Sequence, residues 1–489
     1  MAKKTAKGTP EGWRLTKKER TKFLLGDLGR TLEAGIIAAM MSTFMIFQGI
    51  DMTAIAGVML VVKIIDAFDD MIFGYFVDRI KITEWKLFRK ITGEGKYLPW
   101  YRLTFALFPV FTTLFFCMPF SWTETAKIIW FFVFYLLYDL SYTLVEVPMQ
   151  SMIVTLTDNL DERNSILQAK TILSSVATFI VPLIWTAAIS EFAGFAIRDV
   201  VLVSSVIFFF MMLPMCKGVK EYNTTLSRAD SEESEKYTLK DMWNCVKTNK
   251  YLLILLLSTV INSCLQTGGA LGTLVSYYHF GNSLAIAIPI LIALVPVLLA
   301  QGQTRKLVKK FGKLQVFLIC GIVSVLFRFV IYFVGPVFSI YCTLLVLQAP
   351  FDNVSNIAKS FFMPDTIEYA RYKTGKDCTG ICNALSSFVT KLTTSVSSSL
   401  GLFVLGLSNY IPVQAESFED IAAAGVVQPQ QAMDTMWVIF SLIPVIGMLL
   451  GILVMVIYKL KDRDVALMAK CNAGEITREE CEAQLSRKY

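Results

Sequence analysis

The sequence predicts an all-α membrane protein of twelve transmembrane helices. Of its 489 residues, 55% are hydrophobic and only 17% are charged, and its mean hydropathy is +0.56. A soluble protein needs far more charge to cover its surface, whereas the outside of a membrane protein can be apolar. Twelve stretches are long and apolar enough to cross about 30 Å of hydrocarbon. The alternating pattern of a β-barrel strand is missing from them, so helices are expected.

The charges between the spans predict how the chain is inserted. Lysine and arginine concentrate in the cytoplasmic connections of membrane proteins. Here they gather in the N-terminus, in alternate connections and in the C-terminal tail, while Lys127 and Arg198 are assigned to the opposite side. Both ends are therefore expected in the cytoplasm of a protein of the cell membrane, with the basic N-terminus near anionic lipid rather than nucleic acid. The spans lie near 30–49, 53–78, 101–119, 126–149, 166–189, 197–215, 250–278, 283–302, 314–334, 338–363, 379–410 and 434–458.

A polar, charged stretch divides the spans into two sets of six. The predicted organisation is an N-terminal bundle over 1–215, a cytoplasmic linker over 216–249, a C-terminal bundle over 250–460 and a cytoplasmic tail over 461–489. We expect the two bundles to exchange outward and inward states by rocking against each other.

A weak repeat follows the second span of each half. It reads GYFVDRIKI in the first half and QGQTRKLVKKFGK in the second. We expect Gly74, Asp78 and Arg79, together with the basic connection 303–313, to lock the cytoplasmic side in one state. Such contacts bias a two-state equilibrium.

The sequence carries no enzyme signature. It has no HExxH zinc motif, no phosphate-binding loop and no GxSxG in a suitable context. Cys378 and Cys382 are one helical turn apart, but no second pair or nearby histidine completes a metal site, so packing is the better interpretation. No cofactor is expected.

Charges inside the spans are the most informative residues, because each costs at least about 2.5 kcal/mol to insert. Asp66 and Asp70 are four residues apart and share one helix face, with Asp69 and Lys63 nearby. Two carboxylates one turn apart repel each other unless a cation or proton lies between them. Oxygen ligands suit a hard cation, which favours sodium. The alternative is a structural salt bridge to Lys63, although one lysine cannot balance three carboxylates.

The fourth span carries a second polar group. Glu146 follows Tyr142 by four residues, and both are placed to face a polar solute, while Thr143 offers a neutral oxygen to the cation. Pro148 is expected to interrupt the helix and free backbone carbonyls. The alternative is that Glu146 and Tyr142 cap a helix end. Arg30 is expected either to face the solute or to pair with Glu33 one turn away.

The second half contributes polar residues in its tenth and eleventh spans. Asp352, Asn353, Asn356 and Lys359 are too polar to face lipid, so we expect them to line a cavity or a bundle interface. Lys391, in the eleventh span, needs a partner at mid-membrane.

Three segments give the chain a family resemblance. They read KIIDAFDDMIFGYFVDR, YTLVEVPMQSMIVTLTDNLDER and PDTIEYARYKTGK, the last followed by Lys391. Together they resemble the glycoside–pentoside–hexuronide:cation symporters, the group of the melibiose permease. The resemblance implies a major facilitator fold and uptake of a glycoside or hexuronide coupled to sodium, a proton or lithium, and we expect a monomer.

The resemblance also implies roles for individual residues. Asp66 and Asp70 take the cation site, with Asp69 and Thr143 beside them. Glu146 falls where the family often has a sugar-binding carboxylate, and Lys391 matches the lysine between the two halves.

Some positions depart from the family pattern. Met71 replaces the usual proline, and Arg30 stands near the place of a sugar-binding aspartate. Gln150 and Asn356 replace aromatic residues and offer amide donors and acceptors instead, so they and Lys359 are expected to contact the solute. Since Arg30, Lys359 and Lys391 are cations, we expect an acidic solute such as a hexuronide to be favoured over a neutral disaccharide.

Two other functions remain open from the sequence. The first is an uncoupled facilitator in which the aspartates are structural. The second is transport of a non-sugar solute such as a lysolipid, or a lipid-handling or sensory role on the same fold.

Overall fold

The structure is a computed structural model that describes residues 9–10, 12–79, 92–93, 95–157, 159–222, 247–375 and 379–487. Within these ranges it does not describe the side chains of residues 67–79, 154, 160, 178–179 and 380. The chain divides into two compact units. The first unit comprises 1–235 and 411–427, and the second comprises 236–410 and 428–489.

The described part of the first half of the chain is mainly helical. Its only β-pairing with another described segment is an isolated bridge between Gln48 and Gln414. The predicted span near 101–119 is divided between two short helices. In chain order the helices are α1 (Lys17–Phe47), α2 (Met52–Arg79), α3 (Leu98–Thr104), α4 (Leu107–Phe116), α5 (Glu124–Leu156), α6 (Leu160–Ala188) and α7 (Ile197–Gly218).

The second half supplies the remaining helices. They are α8 (Lys250–Cys264), α9 (Gly272–Phe280), α10 (Ala287–Phe311), α11 (Lys313–Val334), α12 (Phe338–Ser360), α13 (Phe362–Thr374), α14 (Thr379–Gly406), α15 (Phe418–Ala424), α16 (Gln430–Trp437), α17 (Ile443–Val456), α18 (Asp462–Asn472) and α19 (Arg478–Gln484). A 3-10 turn, Thr267–Leu271, precedes α9, and a π-helical turn, Val438–Leu442, joins α16 to α17. Across the described residues, nine helical segments are long and apolar enough to cross a membrane. The count of twelve spans stays a prediction.

Helix α1 begins well before its predicted span. Thr16 and Glu19 form a capping box, in which the Thr16 hydroxyl accepts from the Glu19 amide and the Glu19 carboxylate accepts from the Thr16 amide. Such a box satisfies backbone donors that a helix start otherwise leaves unpaired. The start at Lys17 adds more than three turns to the span expected from 30–49, and these turns carry polar side chains into the bundle.

Helix α1 packs closely against α7 because small residues lie between them. A Cβ added at Gly26 would lie 2.8 Å from Met215 Sδ, and one added at Gly29 would lie 3.0 Å from Met211 Cβ. Small residues at such contacts let membrane helices approach without a hydrophobic driving force from water. This packing fixes the orientation of the charged face of α1.

Helix continuity differs from the prediction in two places. Pro148 does not interrupt its helix, because α5 runs from Glu124 to Leu156 with the proline inside it. It does free a backbone carbonyl as expected, since the Leu144 carbonyl four residues earlier accepts from the Thr104 hydroxyl at 3.2 Å. The basic connection 303–313 is mostly helical, because α10 continues to Phe311 and a single residue, Gly312 at φ +86°, separates it from α11. A positive φ of this size is accessible to glycine at little cost.

The segment 411–427 belongs to the first unit although it follows eleven predicted spans. The amide of Ala415 donates to the Phe47 carbonyl at 3.0 Å, and the amide of Phe418 donates to the Ile189 carbonyl at 3.0 Å. The Phe418 ring, which is fully buried, meets the Phe47 ring edge-on at 5.0 Å.

Candidate functional site: charged side chains inside the helical units

The first unit contains an ion pair between two of its long helices. Arg30 on α1 forms a salt bridge with Glu146 on α5, and Gln150, one turn further along α5, donates its side-chain amide to the same carboxylate. The Arg30 side chain is 7% exposed and that of Glu146 is 18% exposed. The sequence predicted all three residues as solute contacts, and the structure brings them together.

Two further residues extend this pair into a chain of alternating charges. Asp27 Oδ1 lies 3.2 Å from Arg30 Nη2 and 3.2 Å from Lys170 Nζ of α6. Glu146, Arg30, Asp27 and Lys170 therefore form a group with two negative and two positive charges, here called the α1–α5–α6 cluster. Because opposite charges alternate, each buried charge has a partner that offsets part of its desolvation cost.

Asp27 was missed by the sequence analysis. It precedes the predicted span, which was begun at Arg30, although its spacing of three residues from Arg30 places both on one helix face. The pairing of Arg30 with Glu33 is wrong, since Glu33 accepts a hydrogen bond from the Ser205 hydroxyl at 2.8 Å. The alternative that Glu146 caps a helix end is also wrong, because Glu146 lies in the interior of α5.

Tyr142 is held within a group of aromatic rings on the same helix. Its ring stacks on Tyr138 with centroids 6.2 Å apart and contacts Phe108 of α4 at 5.6 Å. Tyr142 lies one turn before Glu146 on α5, so the two side chains share one helix face. Tyr142 is therefore next to the α5 member of the α1–α5–α6 cluster. A ring and a carboxylate one turn apart offer a polyhydroxylated solute both an apolar face and a hydrogen-bond acceptor.

The expected cation site is described in part. Asp66 lies 3.4 Å from Lys63 on α2, which is the salt bridge considered as the alternative to a cation site. The Lys63 ammonium also lies 4.9 Å from the centre of the Tyr135 ring of α5. Thr143 of α5 is fully buried, and so is Asp139 one turn before it, which the sequence analysis did not select.

Other members of that site fall outside the described side chains. These are Asp69 and Asp70, and the same holds for the expected gate residues Gly74, Asp78 and Arg79; the backbone of α2 is helical through all of them. Among the side chains that the structure describes, no group of three or more His, Cys, Asp or Glu is placed to hold a metal ion. The roles of these residues stay predictions.

The second unit holds a polar cavity of its own. Its volume is 290 Å³, and it is formed by α8, α11, α12 and α17. Asn356 and Lys359, both predicted as solute contacts, line it together with Asp352 and Arg328. Lys391 lies on α14, is partly buried and is not among the residues that line this cavity.

The chain matches known transporters along most of its length. The family described as MFS/sugar transport protein matches residues 23–462. The uncharacterized symporter YjmB of Bacillus subtilis is 27% identical over 463 residues, covering 92% of this chain and 94% of its own. The glucuronide carrier protein homolog of Escherichia coli is 24% identical over 416 residues, covering 82% of this chain and 85% of its own.

A solved structure shows the same fold. The nucleoside transporter NupG aligns over 91% of this chain and 100% of its own with a TM-score of 0.57, at 14% sequence identity. This confirms the major facilitator fold, and the family match confirms the resemblance seen in the sequence. The chain, matched over far more than half its length, belongs to the MFS/sugar transport protein family and is a multi-pass membrane transporter, not an enzyme.

Proposed function

We propose that this protein is a cation-coupled symporter that uses sodium to import a sugar-type solute, a glycoside or a hexuronide, by alternating access across the cell membrane. Both termini lie in the cytoplasm in this proposal. The relatives support it, since one is called a symporter and another a glucuronide carrier.

The α1–α5–α6 cluster is the observation that carries the solute part of the proposal. Buried polar groups inside membrane helices are expensive and usually functional. Arg30, Glu146 and Gln150 present a guanidinium, a carboxylate and an amide from two helices of one unit. Sugar hydroxyls both donate and accept hydrogen bonds, so they can replace such contacts one by one when the solute binds.

Asp66 and its neighbours support the coupling part. Lys63 pairs with Asp66, and one lysine cannot balance the three carboxylates that the sequence places on this helix, Asp66, Asp69 and Asp70. A sodium ion between Asp66 and Asp70, with Thr143 as a neutral ligand, would provide that charge. Coupling follows when each ligand binds the shared conformation more tightly in the presence of the other.

Uptake into vesicles tests both parts. Purified protein in proteoliposomes should accumulate radiolabelled methyl glucuronide or methyl glucoside when an inward sodium gradient is imposed. Accumulation should disappear in Asp66→Asn and Asp70→Asn, with the folded yield unchanged, whereas Asp199→Asn, at an exposed carboxylate, should behave as the parent. Equilibration without accumulation in the parent protein would identify an uncoupled facilitator and refute symport.

A further inference from the structure

The cavity of the second unit has an unusual balance of charge for a membrane interior. Arg328 on α11 and Lys359 on α12 bring two positive charges to its wall, and Asp352 on α12 brings one negative charge. Among the described residues, neither Arg328 nor Lys359 forms a salt bridge. The cavity therefore differs from the α1–α5–α6 cluster, where the charges are paired and balanced.

The carboxylate in the cavity is already engaged elsewhere. Ser324 of α11 donates its hydroxyl to Asp352 Oδ1 at 3.3 Å, and Gln348 donates its amide to the Ser324 oxygen at 2.8 Å. These contacts orient Asp352 along the α11–α12 interface. They leave the two cations to face the cavity without a protein counter-charge at contact distance.

The helix geometry places the two cations at opposite ends of the cavity. Helices α11 and α12 form an antiparallel hairpin, and the Ser355 hydroxyl donates to the Phe317 carbonyl at 3.1 Å across it. Side chains on a helix lean toward its N-terminus. Arg328 therefore leans toward the level of Ser324, and Lys359 leans from the opposite direction toward the level of Ser355. The level of Ser324 pairs with Gln348 and the level of Ser355 pairs with Phe317, so these two levels are about 10 Å apart along the helices and the two cations enter the cavity from opposite ends.

The remaining polar groups of the wall include both donors and acceptors. The Ser258 hydroxyl donates to the Gly451 carbonyl at 2.8 Å, so it offers the cavity no proton. Gln266 donates to the Asn262 side-chain oxygen at 3.1 Å, which uses that acceptor and leaves the Asn262 amino group free to donate. Asn356 adds another amide. A wall with two cations and free amide donors has the chemistry of an anion site.

We propose that this cavity binds a small oxyanion, of the carboxylate or sulfate class, held by Lys359 at one end of the cavity, while Arg328 adds positive potential from the other end. Its volume of 290 Å³ lies near the lower end of the range of about 300–1,000 Å³ for small-molecule sites, so it suits a single compact anion. A bound monoanion would bring the net charge of the three groups from +1 to zero, which removes the excess charge from the membrane interior. Assigning the acid group of the transported solute as the occupant rests on the proposed function; a free inorganic anion would use the same contacts.

Binding to the full-length protein in detergent tests the site without any transport. Three probes are used at constant ionic strength: glucuronate, sulfate and glucose. Glucuronate, sulfate or both should raise the unfolding temperature and bind by calorimetry, while glucose should have no effect, since a ligand that binds the folded state stabilises it by mass action. Glucuronate alone would identify an acidic solute as the occupant, and equal binding of sulfate would identify a general oxyanion. No binding of either anion overturns the proposal.

Variants separate this site from other sources of anion binding. Lys359→Gln should weaken binding of the active anion by about tenfold or more, as expected for loss of a charged hydrogen bond, and Arg328→Gln should weaken it by a smaller factor, because its charge lies farther from the anion. Lys359→Arg should retain binding, and Lys470→Gln, at an exposed lysine of the tail, should match the parent. Unchanged affinity in both glutamine variants refutes the site.

Asp352 gives a test of opposite sign. Asp352→Asn keeps the shape and a hydrogen-bonding oxygen for Ser324 but removes the negative charge from the wall. An anion should then bind about tenfold more tightly, because repulsion across a few ångströms of low-dielectric space is lost. Weaker anion binding in this variant would contradict the proposal. The outcome is independent of sodium-driven uptake, so a failed anion site and a failed symport proposal give different results.

Discussion

At the scale of single residues, one partner of Arg30 was selected as a site residue from the sequence and the other was not. Arg30 and Glu146 were selected because a charge inside a span must have a reason to be there. Asp27 was not selected, because the hydropathy pattern places the membrane boundary at Arg30. The capping box of Thr16 and Glu19 was the available signal that the helix begins earlier. The sequence also does not show that α1 and α5 lie close enough for Arg30 and Glu146 to pair.

The Arg30–Glu146 pair provides the first prediction. Arg30→Met should destabilise the protein by about 3 kcal/mol, because it leaves the largely buried Glu146 carboxylate without its ion-pair partner and leaves Asp27 paired only with Lys170. The double variant Arg30→Met/Glu146→Gln should recover part of this loss, since the unpaired charge is removed as well. Thermal unfolding in detergent measures both.

Arg198→Gln is the control for this cycle, because Arg198 is more than half exposed and pairs with Asp199 at the surface. It should change stability by less than about 1 kcal/mol. If the double variant is no more stable than the sum of the two single losses predicts, Arg30 and Glu146 do not act as a pair.

At the scale of elements, the sequence predicted most helices but misplaced some of their ends. The proline of α5 is tolerated inside the helix, and most of the basic stretch 303–313 belongs to α10, beyond the predicted end of that span at 302. Both errors have one physical origin. Neighbouring helices can satisfy a backbone group freed by proline, and lysine-rich turns remain good helix formers outside the membrane. The local sequence does not show which helices will lie beside the proline or where the membrane surface lies along a helix.

The start of α11 gives a prediction about the helix α13, which lies outside the spans. Lys313 Nζ lies 2.5 and 2.6 Å from the two oxygens of Asp365, a buried residue of α13. Burial raises the pKa of Asp365 to about 6, and the Lys313 ammonium opposes this rise. Lys313→Met should therefore destabilise the protein by about 3 kcal/mol at pH 7.5, where the carboxylate stays charged without its partner.

The loss of folding stability caused by Lys313→Met should be smaller at pH 5 than at pH 7.5. Without Lys313 the pKa of Asp365 rises further above its ordinary value of 3.8, so the carboxyl group of the folded variant is protonated at pH 5 and its burial costs less. A carboxyl group whose pKa is higher in the folded than in the unfolded protein stabilises the fold at pH values below its unfolded pKa. This contribution is lost as the pH rises through its folded pKa. Thermal unfolding of parent and variant at both pH values tests this. A deficit independent of pH would show that packing, and not the charge, is what the variant removes.

The short helix α15 gives the next prediction. Phe418 is fully buried against Phe47, and its backbone amide is bonded to Ile189. Phe418→Ala should cost about 3–5 kcal/mol, the usual loss for emptying a buried aromatic site. Val427→Ala, at a side chain that is 86% exposed, is the matched control and should be neutral. Equal stability of the two variants in thermal unfolding would show that the segment 411–427 does not contribute to the core of the first unit.

At the scale of the whole molecule, composition and hydropathy were enough to predict a multi-pass membrane protein, and the resemblance of three segments to a known family implied the major facilitator fold. Hydropathy and the asymmetry of lysine and arginine act over the entire chain, so errors at single boundaries average out. The placement of 411–427 in the first unit was not predictable in the same way. It depends on contacts between segments more than 200 residues apart, such as Ile197 with Glu416, which no local pattern encodes.

The orientation of the chain gives the last prediction. The segment 411–427 contains no lysine or arginine, whereas the tail after 460 is rich in both, so the two should face opposite sides of the membrane. A cysteine at Val427 should react with a membrane-impermeant maleimide in intact cells, because this side chain is strongly exposed. A cysteine at Lys470, exposed on α18, should react only after the cells are permeabilised. Each variant is compared with the parent protein, whose ten native cysteines set the background. Labelling of the Lys470→Cys variant in intact cells would place the tail outside and reverse the proposed orientation. The distribution of lysine and arginine would then fail to predict the orientation of this chain.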